Sequence, residues 1–230
     1  MKIMNKSALA PAVVYLHGLA SSPQSAKAIV FGRIFKSLGW DFVCPDLNEP
    51  CFLELTLSRG IADANREIGK LKQNSGFILM GSSFGALTAL HTYARYVGPQ
   101  KILALILLAP AFDFFDNKEM QPGDIEKWRE TGSAVICHNN LPLKYNFIED
   151  LWLYNSYQVK LSVPCLVIHG RHDATVGFEQ SEKFKAINAG IELALLEDTH
   201  ELKASIPTMW DEADLKAGII PQFLSANNIG

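Results

Sequence analysis

"LMGSSFGALTAL", residues 79–90, sets two adjacent serines between a strand-like apolar run and a helix-like one, with a glycine on each side of the pair. Gly81, Ser83 and Gly85 form G-x-S-x-G at the point where "GFILMGS" (76–82) ends and a helical pattern begins. A sharp strand-to-helix turn holds its central residue strained above the sheet edge, so residues two positions away must lack side chains. Ser83 meets that condition. Ser82 does not, because Met80 and Phe84 stand at the matching positions. Chance alone puts G-x-S-x-G in roughly one chain in ten of this length. A plain glycine turn is therefore the competing reading, and the placement between strand and helix favours Ser83 as a candidate nucleophile.

Working outward, short runs rich in Val, Ile and Leu recur at 12–17, 41–46, 76–82, 101–109, 164–170 and 191–197. Most are apolar at consecutive positions, the pattern of strands covered on both faces, hence of a parallel sheet. Helical spacing falls between them at about 24–37, 54–73, 84–97 and 177–188, and again after 201. Ser22-Pro23 is expected to open the first helix as cap and first-turn proline. The alternation predicts an α/β fold with an open, mostly parallel six-stranded sheet flanked by helices. One stretch breaks it: about fifty residues separate Ala109 from Val163, where a crossover needs a dozen or more. There "FDFFDNKEM…IEKWRE" reads as helical, "SAVICHNNLPLKYNF" as a hairpin around Asn139-Asn140, and "IEDLWLYNSY" as helical again. Its aromatics predict a packed excursion rather than a solvated loop. The expectation is a single domain over 1–230 with a small cap inserted at about 111–162, before the fifth strand.

A serine hydroxyl needs a base, and the base an orienting acid, in the order Ser, acid, His on this kind of sheet. "IHGRHDATV" offers Asp173 beyond the fifth strand and "LLEDTHEL" offers His200 beyond the sixth, both at the sheet end that carries Ser83. Competing readings exist for each. Asp173 could cap the helix near 177, His200 could be a solvent-facing loop residue, and His172 is a rival base. Glu197 and Asp198 are rival acids, though close in sequence to His200. His169 with His172 loosely suggests a metal pair, but no further ligand completes a metal pattern, and no metal or cofactor is expected. Backbone N–H donors for an oxyanion are expected from Phe84 and, in the loop after the first strand, from Leu19.

The formal charge of −3 offers no basic field for nucleic acid. The longest apolar run, "ILALILLAPAF" (102–112), is short for a bilayer and broken by Pro110, so membrane insertion is not expected. Cys44, Cys51, Cys137 and Cys165 lack metal spacing, and with no convincing leader at the N-terminus they are expected to be reduced thiols in the cytoplasm. Nothing in the chain decides the oligomeric state.

Together these residues resemble the α/β-hydrolase superfamily over nearly the whole chain. "YLHGLASSPQSAKA" (15–28) and the Gly81–Gly85 turn are similar more narrowly to small bacterial YqiA-like esterases. The resemblance implies Ser83 as nucleophile, Asp173 as acid, His200 as base, Leu19 and Phe84 as oxyanion donors, and cofactor-free hydrolysis of an acyl bond. With Ala12 already in the first strand, the superfamily's leading antiparallel hairpin is not expected, and no HGGG run is present. A small or medium carboxylic ester is the expected substrate. A thioester uses the same machinery, and a peptidase, a ligand receptor, or haloperoxidase-like or C–C hydrolase chemistry on this fold stays open. Lys118, Lys127, Arg129 and Lys144 are spread among acids in the insertion, which favours a neutral leaving group.

Overall fold

A computed structural model describes residues 10–71, 76–116, 118, 123–135 and 141–230. In chain order its strands are β1 (Ala12–Leu16), β2 (Asp41–Val43), β3 (Phe77–Ser82), β4 (Ile102–Leu108), β5 (Ser133–Val135), β6 (Pro142–Lys144), β7 (Cys165–Gly170) and β8 (Glu192–Leu196). The helices are α1 (Ala26–Ser37), α2 (Leu57–Lys70), α3 (Phe84–Arg95), α4 (Asp124–Thr131), α5 (Asn146–Leu151), α6 (Glu179–Ile187), α7 (Ile206–Met209) and α8 (Ile219–Ala226). Six strands form one sheet in the order β2-β1-β3-β4-β7-β8, and every pairing is parallel. This is the α/β-hydrolase architecture, with the insertion placed before β7, the sheet's fifth strand.

The consecutive apolar residues divide between two faces. Val14, Leu16, Leu79, Leu105, Leu107 and Val167 pack with α2, α3 and α6, while Val13, Tyr15, Ile78, Met80, Ile106 and Ile168 pack with α1 and α8. A strand alternates its side chains, so covering both faces requires an apolar residue at every position. The order reverses at β1, which sends the chain first to β2 and then across to β3. The loops after β1 and β3 therefore open into one crevice. Register sharpens this: Leu16 stands opposite Gly81, and Gly170 opposite Leu196. Each pair brings two loops to the same level at the carboxyl end.

Three local expectations need correction. α1 begins at Ala26, not at Pro23, because Ser25 is the cap and its side chain accepts from Ala28 N–H. Ser22 instead makes the preceding turn, accepting Gln24 N–H at its hydroxyl and Ser25 N–H at its carbonyl. Residues 113–116 turn rather than coil into a helix, since the Asp113 carboxylate takes the Phe115 N–H and offers the backbone a non-helical partner. The insertion's aromatics are not uniformly covered either. Phe112, Phe114 and Trp128 are buried, but Trp152 is 57% exposed and stacks on the partly exposed Phe115. β5 and β6 do pair antiparallel as a hairpin; Asn139-Asn140 and Cys137 lie outside the described residues. Cys44, Cys51 and Cys165 carry free thiols. Among the described residues no helix is long and apolar enough to cross a membrane.

Candidate active site

Ser83 sits between the last residue of β3 and the first of α3 with φ 55° and ψ −119°, a conformation costly for any residue with a side chain. The surrounding backbone leaves it no alternative. A Cβ on Gly81 would lie 2.3 Å from the Gly85 carbonyl oxygen, and one on Gly85 would lie 2.0 Å from that of Leu16. Both glycines of the motif are thus required by close backbone approach, and Gly85 also seats α3 directly on β1. Ser83 N–H donates to Leu108 O at 2.8 Å, while its carbonyl accepts from Ala86 and Leu87. Ser82 is turned into the core, where its side chain hydrogen-bonds the buried Tyr15 hydroxyl.

From Ser83 a chain of short contacts runs inward. His200 Nε2 lies 2.9 Å from Ser83 Oγ, and His200 Nδ1 lies 2.6 Å from Asp173 Oδ2. Asp173 is fully buried at its side chain and His200 is 22% exposed there. Thr175 and Val176 donate their N–H groups to Asp173 Oδ1 at 2.9 and 2.7 Å. His169 Nε2 approaches Oδ2 at 3.0 Å, and Val176 O at 3.1 Å. Two acceptors at that nitrogen require it to carry the proton. Burial pushes the Asp173 carboxyl up, but hydrogen bonds from His169 and His200, the His200 charge and Val176 N–H outweigh it and hold the group below the usual carboxylate range. The acid is therefore an ionised acceptor facing His200 across the whole neutral range.

The crevice above Ser83 is a cavity of about 1230 Å³. Leu19 and Phe84 line it with Ser83 and His200, and Phe114 and Trp128 reach it from the insertion. Phe84 is the first residue of α3, so its N–H has no acceptor within the helix. The loop carrying Leu19 is fastened from below: His17 is buried, with Nδ1 2.8 Å from Gly18 O and Nε2 2.9 Å from Leu47 N and 3.2 Å from Asp46 Oδ1. His172 borders the same cavity, but its ring is engaged elsewhere and makes no hydrogen bond to Ser83 among the described residues. It pairs with Glu197 at the surface, 2.8 Å apart, and shares no partner with the buried His169.

The model of an uncharacterised protein family, UPF0227, matches residues 12–217. The chain belongs to this family. Among solved structures, Est1E from Butyrivibrio proteoclasticus with bound ferulic acid aligns with TM-score 0.74 at 19% identity, over 99% of this chain and 93% of its own. Alpha/beta hydrolase domain-containing protein 10 from mouse aligns with TM-score 0.72 at 19% identity, over 95% and 88%. The Pyrococcus furiosus esterase Pf2001 aligns with TM-score 0.65 at 16% identity, over 95% and 83%. These likenesses establish a shared fold for this UPF0227 chain. No curated protein matches it.

Two residues of this UPF0227 site escape a sequence reading. His169 looks like an ordinary strand end in "IHG", yet it braces Asp173 while the Ser181 hydroxyl of α6 holds its Nδ1 at 2.7 Å. Only the four-residue spacing to Asp173 hints at contact. Asp198 reads as a rival acid, but it organises the loop that carries His200: its carboxylate accepts from Thr199 N–H (2.7 Å) and Ser205 N–H (2.8 Å). Gly170 lets that loop close in, since a Cβ there would lie 2.3 Å from Asp198 O.

Proposed function

We propose that this protein is a serine hydrolase that cleaves a small or medium-chain carboxylic ester through an acyl-enzyme. The observation that carries this reading is the unbroken hydrogen-bonded path from Ser83 through His200 to a buried, ionised Asp173. Ser83 Oγ attacks the ester carbonyl carbon while His200 Nε2 takes the hydroxyl proton. Asp173 keeps the other imidazole proton on Nδ1 and stabilises the imidazolium that forms. The N–H groups of Leu19 and Phe84 stabilise the oxyanion. Collapse breaks the carbon–oxygen bond, and His200 returns its proton to the leaving alkoxide. Water, deprotonated by His200, then attacks the acyl carbon and releases the acid and free Ser83.

Residues 111–162 act in this reading as a cap on a single domain, and Phe114 and Trp128 supply the apolar wall expected of an acyl site. That one fold relative was solved with an aromatic acid bound fits an acyl pocket of this kind. The partner is a small molecule and the working compartment the cytoplasm. A thioester is the second reading, because the same machinery expels a thiolate. The test is labelling with a fluorophosphonate probe, followed by esters and thioesters of graded acyl length. Labelling at Ser83 with ester turnover is the expected result. No labelling of the folded protein, or labelling at another serine, overturns the assignment.

A further inference from the structure

His200 lies in a loop that the chain must hold in an awkward shape. Leu202, two residues on, has φ 52°, a left-handed conformation costly for leucine. Its side chain is fully buried against the α1 and α8 side of the sheet, and Asp198 ties down residues 199 and 205. Between these anchors stand His200 and Glu201. The Glu201 carbonyl receives one further bond, from the ammonium of Lys27, 174 residues away on the second residue of α1. Lys27 is half-buried in the wall of the cavity that holds Ser83. No carboxylate lies within ion-pair reach of it among the described residues; Glu201 pairs its own carboxylate with Lys203 instead. A partly desolvated ammonium is costly unless an acceptor compensates it. Here the compensating acceptor is the carbonyl of Glu201, the residue that follows His200.

We propose that Lys27 is a positioning residue for His200, clamping the 200–201 segment to α1 so that Nε2 stays within reach of Ser83. The loop that carries Leu19 leads straight into α1, so the same lysine couples the oxyanion side of the cavity to the base side. This role rests on the hydrolase reading above. Lys27 touches no reacting atom and acts only through the Glu201 carbonyl. The groups that face it are Glu201, Lys203 and Asp198, with His200 adjacent. Burial pulls its ammonium down to about 8, Glu201 and Asp198 opposing and Lys203 reinforcing the shift. The charge-assisted clamp is therefore full strength below that value and weakens as pH rises through it.

The test compares wild type with Lys27→Met and Lys27→Arg on a neutral p-nitrophenyl ester. Lys27→Met is expected to lower kcat on the order of 10- to 100-fold, the scale of a small misplacement of a catalytic group, with KM moved far less. Wild type should lose kcat on an alkaline limb near 8. Lys27→Arg should recover much of the rate and carry that limb to higher pH, because guanidinium does not titrate there. A Lys27→Met protein that melts lower but keeps its kcat and pH profile would reduce Lys27 to fold support and end the proposal. Should wild type neither turn over esters nor take the fluorophosphonate, the hydrolase reading is what fails. The clamp is then judged by NMR, where Lys27→Met must shift or broaden the His200 ring signals, and unchanged signals overturn it.

Discussion

The turn at Ser83 and the insertion between β4 and β7 face each other across one cavity, and they are built by opposite means. Backbone meeting backbone makes the turn, with glycine positions where an added Cβ would sit 2.0–2.3 Å from a carbonyl oxygen. The insertion is attached chiefly by side chains, with one backbone bond from Lys118 N–H to Thr175 O at 3.0 Å. Asp150 of α5 accepts from Ser58 N–H at 2.8 Å and from its hydroxyl, Lys144 pairs with Glu54, and Gln180 spans Asp113 and Asp116. Within it, Trp128 Nε1–H donates to Leu143 O at 2.9 Å. Backbone contacts tolerate almost no substitution, whereas side-chain contacts can be exchanged one at a time. In the proposed hydrolase the reacting groups thus belong to the backbone-built part of the cavity, and the wall proposed to select a substrate belongs to the exchangeable part.

The sharpest way to break this contrast is at the turn itself. Ser83→Ala should lower ester turnover by about 10⁵-fold or more, since a nucleophile and its base act as a unit. Ser82→Ala, which loses only a contact to Tyr15, should cost far less. Steady-state rates with the covalent probe located by mass spectrometry decide the matter. Comparable losses in the two variants would mean that the turn does not single out Ser83.

Asp173→Asn ranks next, with an expected loss on the order of 10⁴ in kcat because the amide disfavours the required His200 tautomer. It should also change acid stability. A carboxyl held below its unfolded value stabilises the fold above about pH 4, and that contribution drains away as pH falls toward the native value. The variant should accordingly show a flatter stability curve in that acid range. An unchanged curve would mean that the buried carboxylate is not held as its four hydrogen bonds indicate. His169→Leu should cost less, about 10- to 100-fold, as removal of an outer partner does elsewhere. Its signature is an acid limb moved upward, since Asp173 loses one donor. A shift of the melting temperature alone would make His169 a packing residue only.

These residues were not equally legible. The four inner strands β1, β3, β4 and β7 can be read from their doubly apolar pattern, because a strand covered on both faces has no polar option, while the partly exposed edge strands β2 and β8 are read from their place in the alternation with helices. Gly81, Ser83 and Gly85 can be read because sterics dictate them. Asp173 and His200 follow from strand order, and the structure sets them within hydrogen-bond reach of one another. Side-chain networks are another matter. Ser181 bracing His169, Asp198 organising its loop and Lys27 reaching Glu201 all depend on contacts between distant segments, for which local spacing carries no signal. The same holds for the start of α1, where Ser22 and Ser25 compete as caps and the outcome depends on which hydroxyl meets a free N–H. In the insertion, aromatic content implied packing that holds for Phe112, Phe114 and Trp128 but not for the exposed Trp152 and Phe115, and it could not assign the partner of each ring.

The smallest effect, and the one that tests the exchangeable wall, comes from those rings. Phe114 is buried, borders the cavity and meets Phe147 edge-on at 5.2 Å, and Phe147 in turn lies 5.6 Å from Phe84. Removing the Phe114 ring enlarges the cavity on the side proposed to take the acyl chain, without touching Ser83, His200 or Asp173. Phe114→Ala should therefore shift the preference toward longer acyl chains, with a change in the long-to-short rate ratio of about tenfold, the worth of a methylene or two in an apolar pocket. Trp128→Ala should act in the same sense but also destabilise by roughly 3–5 kcal/mol, as loss of a buried indole does. Trp152 is the control. It is 57% exposed, stacks at the surface on Phe115, meets Tyr145 edge-on, and does not line the cavity that holds Ser83. Trp152→Ala should leave the chain-length profile alone and stability within about 0.5 kcal/mol. Rates measured across acyl lengths for the three variants decide it. A profile that moves with Trp152 and not with Phe114 would mean that selection happens at the outer surface of the insertion rather than in the cavity wall.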